Sequence, residues 1–285
     1  MLKTIVILKR ILGDALGHYN ADDGWAMASH VALSSLMALF PFLIFAGTLA
    51  SLLGADAFSD TAVHLIFDTW PERIAAPIAA EVQNVLTVER KGLATLSFLA
   101  AFYFASSGIE ALRVALNRAY RVVETRSMYF CRAQSFGFVL VSALGMLAIS
   151  FLLVLAPLGI SIAIKYIPGV DQHLGTISFW RYFIAFLVLV FGLLAVHFWL
   201  PDGKRRFMTI LPGISVTLVA WFVSATIFAS YLELFANYFS TYAGLASIMV
   251  ALVFLYIIAS IFIVGAELNA AIARYHGARD RVVKA

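Results

Sequence analysis

Charge is what this sequence has least of. Only 13% of its 285 residues are Asp, Glu, Lys or Arg, about half the roughly 25% of an ordinary soluble domain. Cysteine is nearly missing. Cys131 stands alone, which excludes an internal disulfide, and with no His or second Cys close to it in sequence it reads as an inert thiol. Several chemical signatures are missing too. There is no H-E-x-x-H, no H-x-H and no Cys pair, no Gly-rich phosphate loop ending in Lys-Ser or Lys-Thr, and no Gly-x-Ser-x-Gly elbow. The six histidines (His18, His30, His64, His173, His197, His276) are scattered. No catalytic residue, metal site or cofactor is expected, and ATP is not an expected fuel.

What is present is apolar. Hydrophobic residues make up 62% of the chain, and mean hydropathy is +0.93. A soluble domain could not hide that much apolar surface, so lipid is the expected solvent for most of the chain. The expected fold class is all-α: one integral membrane domain over residues 1–285, built as a bundle of transmembrane helices. A span needs about 20 mostly apolar residues. Six stretches qualify or nearly do: about 27–53, 93–112, 136–164, 182–200, 207–235 and 243–267. Pro41, Pro157 and Pro212 fall within them as possible helix bending points.

Fifteen of the twenty Lys and Arg residues fall in alternate connecting segments. The positive-inside rule puts those segments, and both termini, on the cytoplasmic side. The pI of about 9.2 then reflects membrane orientation rather than nucleic-acid binding. Trp25, Trp180 and Trp199 stand at predicted span ends, as an aromatic belt requires, and Trp221 is expected to pack mid-span. Residues 1–26 read as a cytoplasmic amphipathic segment. Within it, Met1, Ile5, Leu8, Leu12, Ala15, Leu16 and Tyr19 share one helical stripe suited to lying on a membrane surface. Residues 268–285 form the cytoplasmic tail. In the long outer segment, about 54–92, Ile74, Ile78, Val82, Val85 and Leu86 have the spacing of a further amphipathic helix.

An ionisable group at membrane depth is costly and therefore invites a functional question. His30, Glu110, Arg113, Asn117, Glu267 and Asn269 are expected to meet near the inner leaflet on three helices. They are the candidates for a polar cavity or substrate site. Arg113 would hold an anion there, and Glu110 or Glu267 would carry a proton. The competing reading is that these carboxylates pair with Arg113 or Arg118 and lock the helices together. Glu110, Arg113, Asn117, Arg121 and Glu124 step by three or four, so the second span is expected to continue as a polar-faced helix. A second polar group, Glu233, Asn237 and Tyr242, is placed on the outer side, where simple solvation is the plainer reading. Ala225-x-x-x-Ala229 and Ala266-x-x-x-Ala270 allow close helix contact within or between chains, so a homo-oligomer is possible.

Three segments together resemble the YihY/BrkB family of bacterial inner-membrane proteins, historically labelled the ribonuclease BN family. The first is ALSSLMALFPFLIF, from Ala32 to Phe45, with Ser35, Phe40 and Pro41. The second is SSGIEALRVALNRAYRVVETRS, with Asn117, Tyr120, Glu124 and Arg126. The third begins YFSTYAGLASIM and ends Gly265-Ala266-Glu267-Leu268-Asn269. The chain departs mildly from that pattern at Tyr242-Ala243-Gly244 and at Phe254. The resemblance implies six helices, cytoplasmic termini and a place in the bacterial inner membrane. It also implies a link to envelope biogenesis and virulence. The ribonuclease label fits this sequence poorly, because no carboxylate or metal cluster can be assembled. The expected function is therefore transport or flippase-like movement of an amphipathic or anionic envelope molecule, without enzymatic activity. The alternative is a non-transporting envelope scaffold. Membrane lipids, a lipid-like or anionic substrate, and no nucleic acid are the partners implied.

Overall fold

A computed structural model describes residues 2–52, 93–157, 160, 164, 173–234 and 243–284. The described residues contain no strand. They form seven helices: α1 (Leu2–Ala21), α2 (Gly24–Leu52), α3 (Leu93–Tyr120), α4 (Met128–Ser150), α5 (Leu174–Trp199), α6 (Phe207–Leu234) and α7 (Ala243–Lys284). The fold is an all-α polytopic membrane bundle. Helices α3 to α7 each carry a stretch long and apolar enough to cross a membrane. The 29-residue α2 supplies the sixth candidate. The expected outer helix near 74–86, Asn237 and Tyr242 lie outside the described residues.

Several helices begin or end away from the predicted span limits. Helix α3 runs to Tyr120 rather than residue 112, α4 starts at Met128 rather than 136, and α7 runs to Lys284. Hydropathy marks where a helix meets lipid, whereas capping marks where it stops. Ser127 caps α4 by accepting the Phe130 N–H at 3.3 Å. Five residues of π-helix, Phe151–Leu155, follow α4 immediately before Pro157. Proline brings no N–H to the helical ladder, and a wider turn beside it relieves the ring's clash with the preceding turn.

Helix α1 divides its apolar stripe between two environments. Ala15 and Tyr19 are buried, and Ile11 and Ala15 pack on Leu268, Ala271 and Ile272 of α7. Leu8, Leu12 and Leu16 remain exposed, as suits a helix at a lipid surface. This packing brings both chain ends to one end of the bundle. Asp23 turns the chain from α1 into α2 in the left-handed region, at φ 56°. Gly24 follows because the Tyr19 ring and carbonyl occupy the space where a Cβ would sit.

The main core lies toward that same end. Ala28 of α2, Ala115, Leu116 and Ala119 of α3, Leu193 and Leu194 of α5, Ile210 and Ile214 of α6, and Phe262, Ile263 and Ala266 of α7 are buried together. Small residues let the backbones approach closely, since lipid offers little hydrophobic drive for helices to associate. Of the two small-residue pairs, Ala266 and Ala270 are buried within the chain, whereas Ala225 and Ala229 are exposed. Trp221 packs as expected, with its indole N–H donating to the Ile258 carbonyl at 2.9 Å. Farther out, Leu144, Leu147, Phe191 and Phe222 point outward and are exposed, as lipid-facing side chains would be.

Helices α6 and α7 cross closely at two glycines. A Cβ on Gly213 would collide with the Gly265 carbonyl oxygen and the Asn269 amide, and one on Gly265 with the Thr217 hydroxyl. Alanine normally favours a helix over glycine, yet here overpacking dominates. Gly213→Ala is expected to destabilise the protein by about 1–3 kcal/mol, measured by thermal unfolding in detergent. An unchanged or raised midpoint would contradict this crossing.

Candidate functional site

The polar candidates are built from the end of α3. Glu110, Arg113 and Asn117 occupy one helical face, as the sequence spacing predicts. The helix does not continue through Arg121 and Glu124. It ends at Tyr120, and Arg121 takes the left-handed conformation, φ 57°. The Val122 N–H then bonds to the Asn117 carbonyl at 2.9 Å. The chain reverses, and Glu124 comes back beside the helix it was expected to extend. This is a helix C-terminus closed by one left-handed residue, with arginine in the place that glycine usually fills.

Glu124 gathers the neighbouring donors. Arg126 holds it in a fork, Nε to Oε1 at 2.6 Å and Nη2 to Oε2 at 2.7 Å. Asn117 Nδ2 donates to Oε2 at 2.9 Å, and Arg113 Nε lies 3.6 Å from it. The Arg126 hydrogen bond, ahead of the Asn117 amide and opposed by desolvation, pulls the Glu124 carboxyl down to about 2. Arg126 also donates to the Leu200 carbonyl at 2.9 Å. Asn117 Oδ1 accepts the Asp202 N–H at 2.9 Å. The Thr125 hydroxyl and N–H both bond to Asp202, the N–H at 2.7 Å, and hold its carboxyl below the usual range. The α3–α4 turn is thus tied to the α5–α6 turn.

Glu110 is shared between Arg113, at 3.0 Å, and Arg132 of α4. Arg132 also lies over the Tyr103 ring at 4.8 Å, an arrangement that favours a cation. Arg113 is 7% exposed and paired on both sides. The sequence placed Arg113 in a cavity that would hold an anion. The structure surrounds it with the carboxylates of Glu110 and Glu124.

Asn269 and Glu267 sit apart from that network, on α7. Asn269 Oδ1 accepts the Gly213 N–H at 2.6 Å, and its Nδ2 donates to the Tyr120 hydroxyl at 3.3 Å. Pro212, just before Gly213, interrupts the α6 ladder, and Asn269 supplies an acceptor from a neighbouring helix. The Tyr120 hydroxyl also pairs with His197 Nδ1 at 2.7 Å. His197 is fully buried and stacks on Phe262, with ring centres 4.9 Å apart. His197 stands one turn before Leu200 and Pro201, which are buried as well. Glu267 faces Arg121 at 3.9 Å.

Five of the six inner candidates are therefore grouped at one end of the bundle, in two neighbouring networks. His30 joins neither and is exposed on α2. Glu233 falls in the last turns of α6. Arg126, Arg132, Asp202 and Tyr120 are the partners that spacing did not reveal, because turns and other helices deliver them. Among the described residues no group of three or more His, Cys, Asp or Glu is arranged to hold a metal.

A groove of 320 Å³ opens sideways between α2 and α7, lined by Ser29, Ala32, Leu33, Leu252, Val253 and Tyr256. Trp25, one turn from Ser29, stacks on Tyr256 at 6.5 Å and meets Tyr19 edge-on at 4.8 Å. An aromatic cluster thus stands at the groove's end nearest the chain termini.

The family model described as virulence factor BrkB matches residues 15–284. The chain belongs to the BrkB family. It is 27% identical over 260 residues to the putative ribonuclease-like protein YfkH of Bacillus subtilis, covering 91% of this chain and 94% of that protein. It is 28% identical to UPF0761 membrane proteins of Coxiella burnetii, over 88% of this chain and 89% of theirs. A UPF0761 membrane protein of Rhodospirillum centenum is 23% identical over 94% of this chain, which spans 59% of that relative. No solved structure matches the chain.

Two outcomes test the networks of this BrkB-family chain. Arg113→Ala removes one partner from Glu110 and one from Glu124, which keep Arg132 and Arg126, and is expected to destabilise the fold by about 1.5–3 kcal/mol, the range for a hydrogen bond to a charged group, read by thermal unfolding. The Glu124 carboxyl is held at about 2 in the fold against an ordinary 4.5. Its contribution is therefore present above the ordinary value and lost as pH falls through the folded one. Glu124→Gln should lower the melting midpoint at neutral pH, and the gap from the unsubstituted protein should shrink as pH falls from 4.5 toward 2. A gap independent of pH would contradict the assigned pairing.

Proposed function

We propose that this BrkB-family membrane protein is an inner-membrane transporter or flippase-like protein for an amphipathic, anionic envelope molecule. The observation that carries this reading is the lateral groove between α2 and α7. Its walls are aliphatic, its polar edges are Ser29 and Tyr256, and its volume falls within the roughly 300–1,000 Å³ of small-molecule sites. Leu33 and Val253 are half exposed along it, so a lipid tail enters from the bilayer without crossing the core. Toward the chain ends the surroundings become charged, with Arg118, Arg121 and Arg274 set against Asp23, Glu267 and Asp14. Such a sequence of surfaces, aliphatic, then aromatic, then charged, suits a molecule with an apolar tail and a polar head. The charge asymmetry along the sequence supports a cytoplasmic position for this end. No step in this reading breaks or makes a covalent bond, so the protein acts without enzymatic activity.

A second reading has its own support. Glu110, Asn117 and Asn269 are held by neighbouring side chains and backbone, as expected of a bundle serving as an envelope scaffold. On either reading membrane lipids are the immediate partners, nucleic acid is not one, and a second copy of the chain is compatible with both.

Purified protein in proteoliposomes with a fluorescent anionic phospholipid separates the two. The protein is expected to accelerate movement of the label between leaflets. Leu33→Trp, which fills the groove, should reduce that rate about tenfold or more, a change of roughly 1.4 kcal/mol in the barrier. Leu144→Trp, on the exposed face of α4, should not. A rate no faster than in protein-free vesicles would sink the transport reading and favour the scaffold.

A further inference from the structure

The hydrogen bonds around Tyr120 have a direction, and the backbone of α6 sets it. A backbone N–H can only donate. The Gly213 N–H reaches Asn269 at 2.6 Å, so the atom facing it is the amide oxygen. That fixes which end of the Asn269 amide points toward α3. Its Nδ2, a donor, lies 3.3 Å from the Tyr120 hydroxyl. The hydroxyl oxygen therefore accepts from Asn269. Its single proton is left for the other neighbour, His197 Nδ1 at 2.7 Å. Nδ1 then accepts, and in an uncharged imidazole the ring proton sits on Nε2.

The opposite tautomer leaves more unsatisfied. With the proton on Nδ1, two donors would meet the one Tyr120 oxygen, whose own proton would have no acceptor among the described residues. His197 Nε2, buried and without a partner, would be a second unmatched group. An imidazolium would leave the same two groups unmatched and would bury a charge in a ring that is 0% exposed. The first arrangement leaves Nε2–H alone unmatched. Phe262 stacks on the imidazole and the Tyr120 ring meets it edge-on, which holds its plane. Arg205 lies over the Tyr120 ring at 4.2 Å and donates to the Asp202 carbonyl at 2.8 Å. A cation on the ring face draws electron density from the phenol and makes its O–H a stronger donor, which reinforces the same direction.

We propose that Gly213, Asn269, Tyr120 and His197 form a one-way hydrogen-bond relay, in which the break in α6 at Pro212 sets the tautomer of a histidine on α5. The relay passes from α6 to α7, to the end of α3 and then to α5. If α6 separates from α7 at the Gly213 contact, the Asn269 amide is free to turn over. Tyr120 then loses its fixed donor, and His197 is no longer confined to one tautomer. The two tautomers differ only in which ring nitrogen carries the same proton. The relay exists whether or not the protein moves lipid.

Solid-state nitrogen NMR of the full-length protein in lipid bilayers tests this. His197 is the one histidine followed by phenylalanine. Labelling histidine with carbon and nitrogen isotopes, and phenylalanine with nitrogen alone, therefore picks out its ring without a variant. At neutral pH the unsubstituted protein is expected to show one uncharged form, with the ring proton on Nε2 and none on Nδ1. A proton on Nδ1, whether in the other tautomer or in an imidazolium, would overturn the relay. In Tyr120→Phe the Nδ1 resonance should shift, because its donor is gone; an unchanged resonance would overturn the role of Tyr120. Gly213→Ala collides with Asn269 and Gly265 rather than with the imidazole, and it too should shift the Nδ1 resonance. Unchanged ring signals in that variant, with its helical circular dichroism retained, would overturn transmission from α6.

Discussion

Much of the polar end of this protein depends on one carboxylate that does not lie on a helix. Glu124 is bound by the Arg126 fork and the Asn117 amide, with Arg113 alongside. Each of those residues has another attachment. Arg113 reaches Glu110, which reaches Arg132 of α4. Asn117 accepts from the α5–α6 turn, and Arg126 donates to the end of the same turn. Fixing Glu124 therefore positions α3, α4 and the link between α5 and α6 together. The left-handed Arg121 makes this possible, because a continuing helix would have carried Glu124 about 6 Å farther along the axis. A non-glycine residue in that conformation carries a cost of order 1–3 kcal/mol, offset here by the hydrogen bonds the reversal allows.

The division of the molecule into a polar, closely packed end and an outward-facing apolar remainder follows from lipid as solvent. Apolar side chains gain little by leaving lipid for the interior, so close packing depends on small residues and on polar groups that must be satisfied. The α6–α7 crossing combines both. Gly213 and Gly265 let the backbones approach, and Asn269 accepts the N–H next to Pro212. Tyr120 and His197 extend that contact to α3 and α5.

BrkB-family membership covers nearly the whole chain, and the Bacillus subtilis relative matches it over nearly equal lengths. The lateral groove between α2 and α7 is the feature that bears on a role in the membrane.

The sequence by itself determined the all-α membrane fold, the order of the apolar helices described, and the clustering of Glu110, Arg113 and Asn117 on one face. These follow from local periodicity and from the cost of charge in lipid, both of which are written along the chain. Only the tertiary structure decided who pairs with whom. Asn117 and Asp202, Glu110 and Arg132, and Tyr120 and His197 are far apart in sequence, and their meeting depends on turns and helix crossings. Helical spacing put Glu124 on an extension of α3, and a single left-handed residue sent it elsewhere. It put His30 with the inner cluster by depth, but depth does not fix which way a helix is rotated, and His30 faces outward. Periodicity says which residues share a face of one helix. Packing chooses what that face meets.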